Sequence, residues 1–349
     1  MLNNNNIEKR VLLVKSDEQF DFDLKQILEK YLSDDATATS GSGKFEYEFF
    51  LSQLKQMQTN EKFIVKLFQQ LKPLIHLIEP ERFESSLVNV LFFEIKWHEH
   101  YSRNGTVLAY LSEFLIDLNS AYTCYIYKCL CMLVKLFTIA NTSTTTTNDD
   151  NNAVVDCAEM ARFAHNIIDH LVRVAPTSKA HLVKIVDAQY PYLTKETSVQ
   201  EAFTRNALQL AGKYKDIRLN LLEFCVQKML KIDVKLTREQ IIETETTTTT
   251  PTTTVAHVVD NQSETSTSMR HPLADRLDVM MRCVLEFIRQ SSCISSSSNS
   301  SETTTTSLDW ELCKSIYKDL LFIFDKYILC PYVSTHVQYL MVFVCSVKS

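Results

Sequence analysis

The sequence predicts an all-α protein of stacked helical pairs, interrupted by Ser/Thr-rich loops. Three observations carry that expectation. Gly and Pro number only 4 and 7 in 349 residues, against roughly 12% in an average soluble protein. Apolar residues make up 45% of the chain, enough for a large core, and they recur at helical spacing. Low-complexity tracts separate the periodic segments. Sandwiches, barrels and doubly wound α/β folds place Gly and Pro at many turns, so the shortage argues against all of them.

Residues 1–44 read as an N-terminal helical segment and a polar linker, Ser33 to Lys44, and residues 45–349 as a helical-repeat domain. Its first apolar stripe is Ile64, Leu67, Phe68, Leu71, Leu74, Ile75 and Ile78. Leu108, Leu111, Leu115, Leu118 and Tyr122 form the next, followed closely by Ile126, Leu130, Leu133 and Phe137. Then come Leu219, Leu222, Val226 and Met229, and Leu273, Leu277, Met280, Val284 and Ile288. Ile316, Leu320, Ile323, Phe324 and Tyr327 close the series. Loops expected to be disordered run over about 138–152, 243–268 and 291–307. The second holds 11 Thr and 3 Ser in 26 residues, the third 13 Ser or Thr in 17. Such tracts bury too little apolar surface to offset their ordering entropy, and the branched Cβ of Thr disfavours helix. Helices with one apolar face each, joined by short breaks, suit a HEAT/armadillo-like helical-repeat solenoid. At roughly 40–47 residues per repeat there is room for about six or seven pairs. A compact bundle is the alternative.

The chemistry expected of the chain is sparse. Lys and Arg number 36 against 42 Asp and Glu, a net charge of −6, which argues against the phosphate neutralisation that direct nucleic-acid binding needs. The N-terminus, Met1 to Asn6, lacks the regions of a signal peptide. The apolar run Tyr125 to Ala140 is broken by Lys128 and Lys135, and Val337 to Val347 is too short to span a bilayer. No membrane association is expected. Ten cysteines inside apolar segments fit reduced thiols in a cytosolic or nuclear protein. Cys129 and Cys131, with Cys124 nearby, lack the paired spacing of structural zinc and point to different sides of a helix. Trp97-His98-Glu99-His100 lacks the i, i+4 histidines of H-E-x-x-H, and His165 and His170 fall on different faces. No catalytic residue, metal ligand, cofactor or enzymatic activity is expected.

A phosphate-cradling loop is not expected either, since the only close glycine pair is Gly41 and Gly43, without a G-x-G-x-x-G or P-loop pattern. Several stretches in order do resemble one family. Ala109-Tyr110-Leu111-Ser112 runs through Asn119-Ser120-Ala121-Tyr122-Thr123 to Cys129-Leu130 and Met132-Leu133. His271-Pro272-Leu273-Ala274-Asp275-Arg276-Leu277-Asp278 is a second stretch. The third joins Ile316-Tyr317-Lys318-Asp319-Leu320-Leu321 and Ile323-Phe324-Asp325-Lys326 to His336-Val337-Gln338-Tyr339 and Val344-Cys345-Ser346. Weaker matches are Pro191-Tyr192-Leu193-Thr194-Lys195 and Lys228-Met229-Leu230-Lys231-Ile232-Asp233-Val234. Together they are similar to the RNA polymerase I-specific transcription initiation factor family TIF-IA over most of residues 85–349.

The resemblance implies an all-helical HEAT-repeat solenoid. It also implies a non-enzymatic factor that binds RNA polymerase I and bridges it to the promoter-bound core factor at ribosomal RNA genes. Nuclear and nucleolar localisation with cytoplasmic shuttling, and regulatory kinases tied to growth signals, come with it. Family members are considerably longer, so C-terminal repeats are expected to be missing after Ser349 and core-factor contacts carried there to be impaired. The acidic loop of the family is here a Thr tract with only Glu243, Glu245, Asp260 and Glu264 as acids. Ser178 after Thr177 removes a proline-directed step. A generic helical-repeat scaffold or adaptor is the second function class.

Ser112, Ser120 and Thr123 are the candidate polymerase contacts, because the family uses surface serines in this part of the chain. Ser120 and Thr123 project away from the Leu108–Tyr122 stripe and Ser112 lies on its boundary. The competing reading makes Asn119-Ser120 a turn with Ser120 capping the next helix. Thr146 and Thr147, before Asn148-Asp149-Asp150, are candidates for acid-directed phosphorylation, with bland linker as the alternative. His271 and Pro272 are expected at a helix start, and Arg276 and Asp278 to pair with neighbouring repeats. Asp325 and Lys326 are expected to be solvated or inter-repeat charges, and His336 belongs to the signature with a mainly structural role.

Overall fold

The computed structural model describes residues 22–34, 42–97, 105–139, 157–236, 271–294, 307–329 and 334–346. They fall into two compact units, Met1–Leu136 with Thr145–Ser178 and Phe137–Thr144 with Lys179–Ser349.

The first unit contains α1 (Leu24–Asp34), α2 (Ser42–Gln56), α3 (Glu61–Leu71), α4 (Gly105–Ala121), α5 (Ile126–Lys135) and α6 (Cys157–Val174). Leu24 and Leu28 of α1 are fully buried. The helix packs on α2, where Tyr31 stacks on Tyr47 at 4.2 Å between ring centroids and Lys30 reaches Glu46 at 2.7 Å. The boundary expected at 44 therefore falls inside a packed unit. Ser42, Gly43 and Lys44, read as linker, form the first turn of α2, and Gly43 is buried. α3 starts at Asn60, whose side chain accepts from the Phe63 N–H at 3.2 Å, a cap that supplies one orphan donor with a partner. Ile64, Leu67, Phe68 and Leu71 are all buried. Pro73, which has no N–H to continue the ladder, tightens the chain into a 3₁₀ turn over Lys72–Leu77. α4 packs on α3 through Phe114 and Phe68, 5.3 Å apart, and buries Leu108, Leu111, Leu115 and Leu118 as its stripe predicts. Met160, Ala164, Ile167, Ile168 and Leu171 of α6 form a buried face that packs on α4 and α5.

The second unit contains α7 (Ser178–Ala188), α8 (Thr197–Lys213), α9 (Lys215–Asp233), α10 (Pro272–Ser292), α11 (Trp310–Ile323) and α12 (Tyr339–Ser346). α8 packs on both α9 and α10, and α9 and α10 both pack on α11. Asp309 caps α11, its carboxylate accepting from the N–H groups of Glu311 and Leu312 at 3.1 Å each. Ser291 and Ser292, assigned to the third loop from sequence, instead end α10. Cys293–Ile294 then pairs antiparallel with Ser307–Leu308. The tract expected over 291–307 is thus ordered at both ends, because α10 carries its helical period past Ile288 and two short segments find each other as a ladder. The first tract has Thr138 in a 3₁₀ turn. Its remainder from residue 140, the whole of 243–268, and residues 295–306 lie outside the described residues.

Seven cysteines among the described residues are free thiols. Burial pushes the thiols of Cys129 and Cys283 up to about 12, which leaves them unreactive at neutral pH. Among the described residues no group of three or more His, Cys, Asp or Glu is placed to hold a metal ion. No described helix is long and apolar enough to cross a membrane.

Leu115, with no exposed surface, sits where α4 faces the core. Leu115→Ala is expected to cost about 2–5 kcal/mol, read as a lowered urea midpoint by circular dichroism. An unchanged midpoint would place Leu115 outside the packed interior.

Candidate functional site

Two groups of residues emerge, one on α4 in the first unit and one formed by the signature segments of the second. On α4, Ser120 is exposed and Ser112 half-buried. The two hydroxyls lie roughly 80° apart around the helix, two turns along it. Ser120 does not cap the next helix. α4 runs through Ala121, and the Ser120 hydroxyl donates back to the Ile116 carbonyl at 2.7 Å, the i−4 bond that lets serine sit inside a helix. The break comes at Tyr122, with φ −133° and ψ 92°. Exposed Thr123 opens a 3₁₀ turn, Thr123–Tyr125, that leads into α5. Two tyrosines pin this corner: Tyr122 donates to the His76 carbonyl at 2.9 Å and Tyr125 to that of Ile78 at 3.2 Å. Along the same face of α4 lie Asp117, one turn before Ser120, and Glu113, two turns before it, with the Lys72 ammonium 3.9 and 2.8 Å from their carboxylates. Its hydrogen bond to Glu113 raises the Lys72 pKa above the usual lysine value. Such an exposed pair adds little stability but sets the local charge. The face therefore offers hydroxyls and carboxylates from a helix pinned in place, suited to hydrogen bonding with a protein surface. Thr146 and Thr147 lie outside the described residues.

In the second unit the signature residues hold one another. Pro272 occupies the first position of α10, as expected, and His271 precedes it, its carbonyl accepting from Asp275 N–H at 3.0 Å. Arg276 is 6% exposed. Its guanidinium donates to the carbonyls of Leu193 and, at 2.7 Å, Lys195, in the connection before α8. Asp278 differs from expectation: it is exposed and pairs with Arg282 at 2.8 Å within its own helix. The i, i+4 spacing puts that partner one turn away on the same face of the helix. Lys326 does make an inter-helix contact, 2.8 Å from Glu223 of α9, and lies over the rings of Phe322 and Tyr327. Asp325 is exposed. Burial pushes the Glu223 carboxyl up, but hydrogen bonds from Lys326 and Tyr327 outweigh it and leave the group below its ordinary value.

His336 belongs to a denser arrangement around Asp233, the last residue of α9, whose side chain is fully buried. The carboxylate accepts from Ser334 Oγ at 2.9 Å, Thr335 Oγ1 at 3.0 Å and His336 Nδ1 at 2.8 Å. The N–H groups of Thr335, His336 and Val337 add bonds of 3.1 to 3.2 Å. Burial raises this carboxyl, yet the donors, His336 first among them, hold it below the usual aspartate range. Sequence reading passed over Asp233 and also Arg218, which is 5% exposed and donates to Asp319 at 2.7 Å and Ser315 at 2.5 Å. A signal was present. Asp233 lies four residues after Met229, and Arg218 four before Leu222, so both charges stand on an apolar stripe. Such positions are occupied only by paired groups.

Asp233→Ala leaves three backbone donors and a histidine without their acceptor, and is expected to cost about 3–5 kcal/mol. The depressed folded pKa also fixes the sign of the acid response. This stabilisation is present above the unfolded aspartate pKa of about 3.9 and is lost as pH falls through the folded value. Urea midpoints at pH 7 and at acid pH test both points, because the gap between wild type and Asp233→Ala should narrow in acid. A constant gap would show that the carboxylate charge is not what the donors hold.

The model of the family described as RNA polymerase I specific transcription initiation factor RRN3 matches residues 21–349. The mouse protein named RNA polymerase I-specific transcription initiation factor RRN3 is 26% identical over 75% of this chain and 41% of its own length. The crystal structure of RNA polymerase I transcription initiation factor Rrn3 shares the fold, with a TM-score of 0.61 at 16% identity over 93% of this chain and 57% of that one. The chain thus spans less than two thirds of either relative. The family match covers every helix named above, including those joined by Arg276 and Asp233, and so the chain belongs to the RNA polymerase I-specific transcription initiation factor RRN3 family.

Proposed function

We propose that this chain acts as a non-enzymatic transcription initiation factor, binding RNA polymerase I and bridging it to the promoter-bound core factor at ribosomal RNA genes. The observation that carries the reading is the family match from residue 21 to 349. A polymerase I partner implies work in the nucleus and nucleolus, with shuttling to the cytoplasm as part of the same proposal. Ser120 and Thr123, with Ser112 at the edge, are the proposed contact hydroxyls. Regulatory kinases are proposed to act on the chain, with Thr146 and Thr147 as candidate targets. A generic helical-repeat scaffold would share the helices but bind no polymerase. A pull-down of the chain with purified RNA polymerase I separates the two readings, and core-factor binding measured in parallel tests the bridge.

Charge at Ser120 tests the surface itself. The residue sits in the last turn of α4, one turn beyond Asp117. A carboxylate there meets the negative end of the helix dipole, at a cost of about 0.3–1 kcal/mol, and like charge beside it. A desolvated, unpaired charge in the interface costs more, about 3 kcal/mol or a hundredfold in affinity. Ser120→Ala is therefore expected to bind polymerase and melt much like wild type. Ser120→Asp should lose about a hundredfold in affinity with only a small loss of thermal stability. Wild-type affinity in Ser120→Asp would remove this residue from the contact surface.

A further inference from the structure

The connection between α7 and α8 is built more rigidly than a surface loop needs. Tyr190 turns inward, its ring edge-on to Phe203 and Phe224 at 5.6 and 5.5 Å. Pro191 is buried and fixes its own φ while holding the residue before it extended. Tyr192 then faces outward at 81% exposure, the most exposed large apolar side chain among the described residues. Its backbone does not share that freedom. The Tyr192 carbonyl accepts from the Lys195 N–H at 2.9 Å and from the Gln200 side-chain amide at 2.9 Å. One and three residues on, Arg276 takes the carbonyls of Leu193 and Lys195. Gln200 and Arg276 are both buried. Burying an amide and a guanidinium is costly unless their bonds are made. Gln200 Nε2 and the two terminal nitrogens of Arg276 make theirs to this one short turn, while Gln200 Oε1 and Arg276 Nε have no hydrogen-bond partner among the described residues.

We infer that this connection is a protein-docking loop with Tyr192 as its anchor, and that its partner is RNA polymerase I. The partner half of the inference rests on the polymerase-binding function proposed above. A tyrosine offers a large, stiff contact area with a polar tip, which is why it recurs at the centre of interfaces. A loop held in one conformation beforehand loses little entropy on binding. Exposed Thr194, Lys195 and Glu196 supply the polar rim that surrounds such anchors. The complementary surface is an apolar slot deep enough for a phenol ring, with its hydroxyl left at the solvent rim and a carboxylate within reach of Lys195. Polymerase I is the partner chosen because the matching family model and the mouse relative are both named for it.

The test compares wild type, Tyr192→Ala and Tyr192→Phe for affinity to purified RNA polymerase I and for thermal unfolding. Tyr192→Ala is expected to bind about tenfold or more weakly and to melt like wild type, since the side chain is exposed. Tyr192→Phe keeps the ring and should stay within about threefold. If wild type binds and Tyr192→Ala binds equally well, the docking loop is refuted while the polymerase function stands. Loss of affinity in Tyr192→Ala matched by a lower melting temperature also refutes it, because a structural residue behaves that way. No binding by wild type removes both proposals.

Discussion

The buried carboxylate of Asp233 is the group on which the C-terminal part of the second unit depends. An isolated aspartate without solvent would give up its charge, so the fold has to bring donors to it. It does so with consecutive N–H groups and side chains from residues 334–337, which lie roughly a hundred positions further along the chain. That requirement fixes where the chain re-enters after α11 and where α12 begins. Arg218 with Asp319 ties α9 to α11, and Glu223 with Lys326 ties α9 to the π-helical turn Phe324–Ile328 that follows α11, by the same logic. Long-range order in this unit therefore rests on a few charges that cannot be left unpaired. The apolar stripes supply most of the driving force but are far less particular about register.

A chain with four glycines still has to turn between helices, and it does so with other devices. Pro73 ends α3 in a 3₁₀ turn, and Pro272 starts α10. Pro191 sets the bend before α8. At the α4–α5 corner no proline or glycine is used. Tyr122 takes an extended conformation, and two phenol groups donate to the carbonyls of His76 and Ile78, at the end of the Lys72–Leu77 turn and just after it. Aromatic hydroxyls thus do at corners what small residues do in β-rich folds, and each such corner is tied to a second element. The result favours firm corners over mobile ones. That suits a protein whose proposed task is to present surfaces.

The stripes were legible in the sequence because helical period survives any tertiary context: Ile64 to Ile78 and Leu108 to Leu118 are buried as read. What could not be read was local competition for hydrogen bonds. Ser120 after Asn119 looks like a cap, yet the same hydroxyl can donate four residues back, and nothing in the sequence says which bond is made. Asp278 was expected to pair with a neighbouring repeat, but Arg282 stands one turn away on its own helix and takes it. The polar patch up to Lys44 was misplaced for a related reason. Ser42 and Gly43 are poor helix residues on their own, but Tyr47, Phe50 and Leu54 pack and carry the helix back over them. Asp233 and Arg218 were readable in principle, as charges standing on apolar stripes. Their partners were not, since roughly a hundred residues of chain separate them.

The two candidate surfaces present their side chains in different ways, and the difference has consequences for control. On α4 the hydroxyls ride on a helix already stabilised by its buried face, so adding or removing charge there changes the surface while the core stays packed. Around Tyr192 the presentation itself is the fragile part, because the turn is held by Gln200 and Arg276 from beneath. Losing Arg276 would free the carbonyls of Leu193 and Lys195 and loosen the turn, with no change in the tyrosine. A hydroxyl surface is thus open to direct modification, whereas the loop is open to control through the helix packing that supports it. Arg276 and Asp233 lie in stretches that resemble the family's signatures, although neither need touch a partner. A residue that shapes a surface from behind is as constrained chemically as one that forms it, since a buried guanidinium tolerates few alternatives.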